Sequence, residues 1–288
     1  MKDVQYFAPG TLREALKLLG QHGARIRVLA GGTDLVRDMN LELKLPDNIL
    51  WIGKLGLEYV RLEKGLIRIG AATRMQTAGD SRLLQTKASA LAQAAGKLAA
   101  PPVRSLATLG GNICNASPAA DTVCAMLALG AELVLSSQAG KRIVPLEKFF
   151  TGPGKTVLKA GEMLTEIRLR PTGNKEGSAY AKVGRRQALT LAVLNAAARV
   201  RLDGKGNCAE VNIAIGAAAP KPLRAHKAEA ALRGKPVTPE TIAAAAEVAA
   251  SEIKPIDDVH GTAWYRRQLT RVLVARVLAR AAGLGEEE

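Results

Sequence analysis

The N-terminal part of the chain alternates between helix-like and strand-like patterns of apolar and polar positions. A capping box at Thr11 opens residues 12–19, whose apolar side chains fall on one helical face. Residues 25–30 alternate basic and apolar side chains, which is typical of a strand. This strand runs into residues 31–34, Gly-Gly-Thr-Asp, and the pattern of residues 35–45 predicts a helix. The expected order is therefore strand, glycine loop, helix.

The middle of the chain contains a second glycine pair. Short apolar runs predict strands at residues 49–52, 59–62, 66–71, 132–137 and 141–144. An alanine-rich helix is expected over residues 87–99, and another helix begins at Pro118 and Asp121 and ends at Gly130. Between these two helices lie residues 108–112, Thr-Leu-Gly-Gly-Asn, which predict a second glycine loop ahead of a helix.

The C-terminal part has a different composition. Pro, Gly, Asn, Lys and Glu cluster at residues 171–177 and predict a linker. Strand-like runs at 192–202 and 209–217 flank an Asp-Gly-Lys-Gly-Asn hairpin signal. Helical patterns follow at about 224–233, 239–253 and 262–282, and residues 286–288 are expected to be a solvated acidic tail. The whole pattern predicts an α+β chain with a domain boundary near residue 175.

Composition limits the class of protein. The chain has 288 residues, 48% of them hydrophobic, which indicates one or two folded domains. Lys+Arg 41 against Asp+Glu 26 gives a net charge of +15, but the basic residues are spread along the chain. Aromatic residues make up 3%, too few for a base-stacking platform. We therefore expect a basic surface that docks an acidic partner or anionic ligand, or is simply solvated, and no nucleic-acid partner.

The sequence also predicts a cytoplasmic protein. No apolar run approaches the roughly 18 residues of a membrane span, and the N-terminus lacks the apolar region of a signal peptide. The three cysteines, Cys114, Cys124 and Cys208, are too few for a disulfide scaffold. They cannot complete an iron–sulfur cluster alone either, since such clusters usually take four thiolates.

The two glycine pairs are the main chemical signal. Glycine lets backbone N–H groups approach a phosphate, and two facing loops can clamp a pyrophosphate. Neither pair matches the dinucleotide or P-loop fingerprints, so each pair taken alone favours a tight turn over a phosphate-binding loop. Thr33, Thr108 and Asn112 can add hydrogen bonds. Asp121 is suited either to begin a helix or to accept a hydrogen bond from a ribose or ribityl hydroxyl.

Other catalytic signals are weak. A basic cluster of Lys182, Arg185 and Arg186 follows the predicted linker and can bind a phosphate or a partner, or remain solvated. The three histidines are isolated, and the Gly-x-Ser-x-Gly motif of a nucleophile elbow is absent. If the protein is an enzyme, its chemistry therefore belongs to a cofactor, which the chain binds and orients.

Taken together, the motifs resemble those of one family. It is the medium, FAD-binding subunit of molybdenum hydroxylases, the xanthine dehydrogenase and aerobic carbon monoxide dehydrogenase group. The likeness rests on residues 30–35, 108–112, 115–122, 149–154 and 180–186, and continues at 216–225 and 255–267. It therefore covers nearly the whole chain.

The resemblance implies a fold and its domains. A two-lobed FAD-binding domain of the vanillyl-alcohol-oxidase (PCMH) type is expected over residues 1–173, with lobes of about 1–53 and 54–173. A smaller α+β C-terminal domain with an antiparallel sheet and helices, like that of the carbon monoxide dehydrogenase flavoprotein, is expected over 177–288. This division agrees with the boundary near residue 175.

The resemblance also implies site residues. The pyrophosphate and adenine side of FAD is expected on Val28, Leu29, Ala30, Gly31, Gly32, Thr33, Asp34 and Leu35. A second clamp is expected on Thr108, Leu109, Gly110, Gly111 and Asn112. Asp121 is expected to accept a hydrogen bond from FAD, and Lys182 to lie near the flavin. Leu98 and Leu164 are expected to pack against the cofactor. No residue of this chain is expected to be catalytic itself or to bind a metal.

Finally, the resemblance implies an electron path. Substrate is hydroxylated at a molybdopterin centre on a large subunit, and electrons pass through [2Fe–2S] clusters on a small subunit to the FAD of this chain. The FAD then reduces an acceptor such as NAD⁺, a quinone or oxygen. Two alternatives stay open: a stand-alone flavin oxidase or reductase of the same fold, and a non-enzymatic basic binding module.

Overall fold

The structure, a computed structural model, describes residues 4–186 and 189–285. The predicted tail at residues 286–288 lies outside this part of the chain. The described residues form a parallel three-stranded sheet, an antiparallel five-stranded sheet, an antiparallel four-stranded sheet and a two-stranded ribbon. They follow one another along the chain, except that the ribbon is inserted within the five-stranded sheet. The α+β class is confirmed.

The first lobe is built on the parallel sheet. Its elements are β1 (Gln5–Phe7), α1 (Leu12–His22), β2 (Ile26–Leu29), α2 (Leu35–Asn40) and β3 (Asn48–Trp51). The strand order is β1-β3-β2, so β2 lies at one edge. The capping box at Thr11 is confirmed, and α1 buries Leu16 and Leu19 in a small core with Ile26 and Leu50. This packing fixes β2, whose end leads into the first glycine pair.

The second lobe places its helices around the five-stranded sheet. Its strands are β4 (Val60–Glu63), β5 (Leu66–Gly70), β6 (Glu132–Ser137), β7 (Gly140–Pro145), β8 (Phe150–Gly152), β9 (Lys155–Thr156) and β10 (Met163–Leu169). Its helices are α3 (Met75–Asp80), α4 (Arg82–Lys87), α5 (Ser89–Gly96), α6 (Pro101–Arg104), α7 (Leu109–Asn115) and α8 (Asp121–Ala128). The order β4-β5-β10-β6-β7 places β10, which the sequence pattern does not predict, at the centre. Every residue of α8 is buried.

The C-terminal domain is an antiparallel sheet that is buried on both faces. Its elements are β11 (Glu176–Gly184), β12 (Ala192–Leu202), β13 (Cys208–Gly216), β14 (Leu223–Arg224), α9 (His226–Leu232), α10 (Pro239–Glu252) and α11 (Ala263–Ala281). Side chains alternate across a strand, so Ala197 of β12 joins the core of the second lobe, whereas Ala196 and Ala198 join the core with α10 and α11. Small residues on β12 allow both faces to pack closely.

A buried arginine joins the two domains beside the connecting segment. Arg199, 4% exposed, donates to the carbonyl oxygens of Leu129, Arg170 and Pro171, each at 3.3 Å, and to Glu176 at 2.7 Å. The predicted linker is therefore partly held by protein contacts. It is also shorter than predicted, since β11 begins at Glu176. The sequence pattern does not predict β11, because its first residues share the polar composition of the segment before it.

Candidate functional site

The first glycine motif, residues 31–34, connects β2 to α2. A Cβ atom on Gly31 would lie 1.8 Å from the carbonyl oxygen of Leu106, and Gly32 has a φ of +74°. Glycine is therefore required at Gly31 by close backbone packing and favoured at Gly32 by its conformation. The contact with Leu106 also brings this motif next to the segment that leads into the second glycine pair.

The backbone donors of the first glycine motif are available to a ligand. Among the described residues, no hydrogen bond is donated by the N–H groups of Gly31, Gly32, Thr33 or Asp34. All four residues are partly exposed. Successive free N–H groups in a tight turn form a concavity that suits an anion such as a phosphate. The first motif is thus suited to bind an anion, and its contact with FAD stays a prediction.

The second glycine motif, residues 108–112, differs from the expectation. It is the N-cap and first turn of α7, not a loop ahead of a helix, because Thr108 caps the helix. Its donors are Leu109 N to Thr73 O (2.9 Å), Gly110 N to Ala71 O (2.8 Å), Gly111 N to Thr108 Oγ1 (3.0 Å) and Asn112 N to Thr108 O (3.0 Å). The N–H groups of residues 109–112 are therefore already paired, and apart from the N–H of Thr108 this motif can offer a ligand only its side chains.

The two glycines of the second motif have different surroundings. A Cβ on Gly110 would lie 2.5 Å from the carbonyl oxygen of Ala71, so Gly110 packs against the end of β5. A Cβ on Gly111 would meet one neighbour within 4 Å, Thr108 Oγ1 at 2.9 Å. Gly111 therefore leaves open space beside α7. The side-chain oxygen of Asn112 accepts a hydrogen bond from the Thr122 hydroxyl at 2.7 Å, whereas its side-chain nitrogen donates to no described residue.

Asp121 lies in a buried network between the domains. Its Oδ1 accepts from the Tyr180 hydroxyl at 2.6 Å and from Asn195 Nδ2 at 3.0 Å, and its Oδ2 pairs with Lys182 Nζ at 2.6 Å. The Asp121 and Lys182 side chains are each 7% exposed. Burial and the nearby carboxylate raise the pKa of Tyr180 well above its ordinary value, so its hydroxyl stays protonated and donates.

This network changes the interpretation of two predicted residues. Lys182 neutralises Asp121, and Asp121 already has three protein donors, so both hold the C-terminal domain against α8. Thr122, the next residue of α8, bonds to Asn112 of the second glycine motif. The network therefore begins beside the proposed cofactor site, and a contact of Asp121 or Lys182 with FAD stays a prediction.

The remaining predicted residues occupy two environments. Leu164 is 4% exposed on β10 and belongs to the core of the second lobe, and Leu98 is partly buried against that core. In contrast, Val28 is 37% exposed at the end of β2, and Leu29, Ala30 and Leu35 are partly exposed. The residues around the first motif are thus open to a ligand, whereas Leu164 is a core residue.

Sequence reasoning misses the residues that hold the two motifs in place. The carbonyl groups of Leu106, Thr73 and Ala71 fix the backbone, while Tyr180 and Asn195 fix Asp121. Tyr180 lies in one of the stretches that carry the resemblance. The sequence around the other four residues contains no motif that would have identified them. Among the described residues there is no group of side chains suited to hold a metal ion and no helix able to cross a membrane.

Two family models match the chain. The FAD binding domain in molybdopterin dehydrogenase matches residues 2–171, and the CO dehydrogenase flavoprotein C-terminal domain matches residues 178–281. Together with the backbone N–H groups that the first glycine motif leaves available, these matches define an FAD-binding flavoprotein.

Relatives of known activity extend along the chain. The carbon monoxide dehydrogenase medium chain of Hydrogenophaga pseudoflava is 33% identical over 95% of each chain. The xanthine dehydrogenase FAD-binding subunit of Escherichia coli O157:H7 is 33% identical over 96% of this chain and 95% of that one. A solved structure of the Hydrogenophaga carbon monoxide dehydrogenase superposes with a TM-score of 0.93, at 34% identity and 98% coverage of both chains. The chain belongs to the FAD-binding subunits of the molybdenum hydroxylases, which are oxidoreductases.

Proposed function

We propose that the pyrophosphate of FAD binds to the N–H groups of the first glycine motif. The observation that carries this proposal is the run of four backbone donors, Gly31 to Asp34, without acceptors among the described residues. A pyrophosphate supplies several anionic oxygens within a short span, and backbone donors in a tight turn match such a group. Residues 28–35 then line the pyrophosphate and adenine side.

The second glycine motif contributes through its side chains. The N–H groups of residues 109–112 are used within the protein, so the Thr108 hydroxyl and the Asn112 amide are the main groups it can offer. The space beside Gly111 leaves room for the cofactor to approach α7. In this proposal the ion pair of Lys182 and Asp121 lies at the flavin end of the site. Leu98 and Leu164 pack against the cofactor.

The proposed role is electron transfer within a complex of three kinds of subunit. The chain takes electrons from a [2Fe–2S] small subunit, which receives them from a molybdopterin large subunit, and passes them to an acceptor such as NAD⁺, a quinone or oxygen. FAD supplies the ability to couple one-electron donors to two-electron acceptors. The names of the relatives support this role, since they are medium chains and FAD subunits of dehydrogenases. The residues of this chain bind and orient the cofactor.

The domain division follows the same proposal. Residues 1–173 form the FAD-binding domain, with lobes of about 1–53 and 54–173, and residues 177–288 form the C-terminal domain. In support, the three-stranded and five-stranded sheets precede residue 175, and the four-stranded sheet follows it. The Asp121 network and Arg199 then lie at the interface between the domains.

A substitution at Gly111 tests the site. The purified chain is incubated with FAD and desalted, and its absorption near ~370 and ~450 nm is measured, with FAD expected at about one per chain. Gly111→Val places a branched side chain in the space beside α7, so FAD occupancy should fall to near zero. The added Cβ would also lie 2.9 Å from Thr108 Oγ1, the cap of α7, so the free energy of unfolding in urea should fall by up to about 1 kcal/mol.

Gly111→Ala is the matched control, because it adds one carbon at the same position and should retain much of the FAD. Full FAD occupancy in Gly111→Val would contradict the assignment of this site. If the isolated wild-type chain takes up no FAD, the same comparison is made with the chain co-expressed with its partner subunits. Absence of FAD there also would overturn the proposed function.

A further inference from the structure

Five large apolar side chains of the C-terminal domain are exposed on three segments that the contacts described below join, namely the start of β12, the loop after α10 and the first turn of α11, and we call them the C-terminal apolar surface. They are Leu191 (59% exposed), Ile256 (66%), Val259 (80%), Trp264 (67%) and Tyr265 (40%). Contiguous exposed apolar side chains on a folded protein mark sites of contact with partners.

A buried arginine holds this surface in one arrangement. Arg266, 3% exposed, donates to the carbonyl oxygens of Ile256 at 2.7 Å and Val193 at 3.1 Å, and forms a bidentate pair with Asp258 at 2.7 and 2.8 Å. Val193 lies two residues after Leu191, so these bonds fix the loop that follows α10 against the start of β12. A preorganised surface loses little conformational entropy when a partner binds.

The surface begins where the strand that carries Lys182 ends. Arg185 follows β11 directly and donates from Nη1 to the carbonyl oxygen of Val259 at 3.1 Å. A Cβ on Gly261 would lie 3.1 Å from Val193 and 3.6 Å from Tyr265, which places this loop against the first turn of α11. The surface is thus connected through a single strand to the Asp121 network beside the second glycine motif.

The charges around the surface are mostly positive and unpaired. Among the described residues, neither Arg185 nor Arg267 takes part in an ion pair, and both are exposed. Of the nearby carboxylates, Asp258 pairs with Arg266, whereas the exposed Asp257 has no cationic partner among the described residues and accepts a hydrogen bond from the first N–H of α11. An apolar centre flanked by unpaired arginines on a chain of net charge +15 is complementary to a partner with an acidic face.

A second exposed apolar region has a different charge pattern. The N-terminal apolar surface follows α2 and consists of Leu41 (61% exposed), Leu43 (69%) and Leu45 (53%). Its basic neighbours Arg37 and Lys44 both pair with Asp38, at 2.8 and 2.7 Å. Arg37 also lies 4.0 Å from Asp34, so the two cations face two carboxylates of the chain, and this surface offers less attraction to an acidic partner.

We propose that the C-terminal apolar surface docks the [2Fe–2S] subunit, whose acidic face contacts Arg185 and Arg267 around an apolar centre at Trp264 and Val259. This inference rests on the proposed electron-transfer function. Electron transfer requires the donor subunit to approach the flavin, and this surface adjoins the strand that bears Lys182. The N-terminal apolar surface has no comparable unpaired charge among the described residues.

Reconstitution with the purified [2Fe–2S] subunit of the same complex tests the inference. Trp264 and Arg267 lie three residues apart and share one face of α11. Trp264→Ala should weaken binding about 30-fold or more, as expected for a central aromatic anchor. Arg267→Glu should weaken it about tenfold at low salt, and less at high salt. Each FAD-loaded variant should keep the FAD content and unfolding midpoint of the wild-type chain.

Leu43→Ser on the N-terminal apolar surface is the matched control and should bind the [2Fe–2S] subunit normally. Wild-type affinity in both C-terminal variants would overturn the docking inference, as would a loss of binding in Leu43→Ser alone. Dissociation of a homodimer by Trp264→Ala, measured by light scattering without the [2Fe–2S] subunit, would overturn it in favour of a second copy of this chain. If an FAD-loaded wild-type chain binds no [2Fe–2S] subunit, the proposed electron path itself fails.

Discussion

In the first glycine motif the N–H groups of residues 31–34 have no acceptors among the described residues, whereas in the second motif the N–H groups of residues 109–112 are all paired. In both motifs a polar residue, Thr33 or Asn112, directly follows the glycine pair. The difference comes from the surroundings, since the second motif forms the first turn of α7 and packs against the end of β5. One motif can bind an anion through its backbone, and the other through side chains.

The comparison shows that each glycine pair contains one residue required by the protein itself. Gly31 fits against the carbonyl group of Leu106, and Gly110 against that of Ala71. In each pair the other glycine, Gly32 or Gly111, lacks such a backbone contact. Gly32 is in turn favoured by its φ of +74°, so of the four glycines only Gly111 is explained by neither a backbone contact nor a positive φ.

The motifs also differ in their connection to the C-terminal domain. The second motif is linked through Asn112 and Thr122 to the start of α8, where Asp121 is bound by Tyr180, Lys182 and Asn195. In the part of the chain that the structure describes, the first motif has no counterpart of this network. The position of the second motif therefore depends on contacts between the two domains.

The largest expected effect concerns this connection. Asp121→Asn keeps the shape of the side chain but leaves the buried ammonium group of Lys182 without its counter-charge. An unpaired buried charge typically destabilises a protein by about 3–5 kcal/mol, so we expect a loss of about 3 kcal/mol or more in the free energy of unfolding. Urea unfolding of the FAD-free chain measures it.

The double variant Asp121→Asn with Lys182→Met is the matched control, because it removes both charges. It should recover much of the lost stability. Equal destabilisation of the single and the double variant would show that the ion pair does not stabilise the interface, and that the second motif does not depend on it.

The next effect separates packing from binding within the first motif. Gly31→Ala places a carbon 1.8 Å from the Leu106 carbonyl oxygen, so the two segments must move apart. Such overpacking destabilises by about 1–3 kcal/mol, and we expect the upper part of this range. Urea unfolding without FAD measures the loss.

Gly96→Ala is the control for the loss of a glycine. Gly96 is exposed at the end of α5, and a Cβ atom added to it would have no neighbour within 4 Å. Its replacement should therefore leave stability unchanged or raise it by up to about 1 kcal/mol. An unchanged stability of Gly31→Ala would contradict the packing role assigned to this glycine.

These contacts also show how far sequence reasoning reaches. The capping box at Thr11 and the hairpin of β12 and β13 are predictable, because a few neighbouring residues determine each of them. The glycine pairs are recognisable as places of close approach. The sequence does not distinguish a phosphate from a protein carbonyl as the approaching group, because Leu106 is distant from Gly31 along the chain.

The network at Asp121 is beyond the reach of sequence reasoning for the same reason. Tyr180 and Asn195 lie 59 and 74 residues after Asp121, and their contacts depend on how the C-terminal sheet packs against α8. The resemblance suggests that Asp121 and Lys182 matter for the cofactor site. It does not suggest that they pair with each other, which follows only from the packing of the two domains.

The smallest expected effect compares the two threonines of the glycine motifs. Thr108 caps α7 through its Oγ1, so Thr108→Ala should lower the free energy of unfolding of the FAD-free chain by about 1 kcal/mol. The Thr33 side chain has no hydrogen bond among the described residues, so Thr33→Ala should change it by less than about 0.5 kcal/mol. If each hydroxyl also donates to the FAD, both variants should weaken FAD binding, by about fivefold for one hydrogen bond. Fluorescence titration with FAD measures the change in binding. If the two variants lose the same stability without FAD, the second motif is not stabilised by its own cap in the way that distinguishes it from the first.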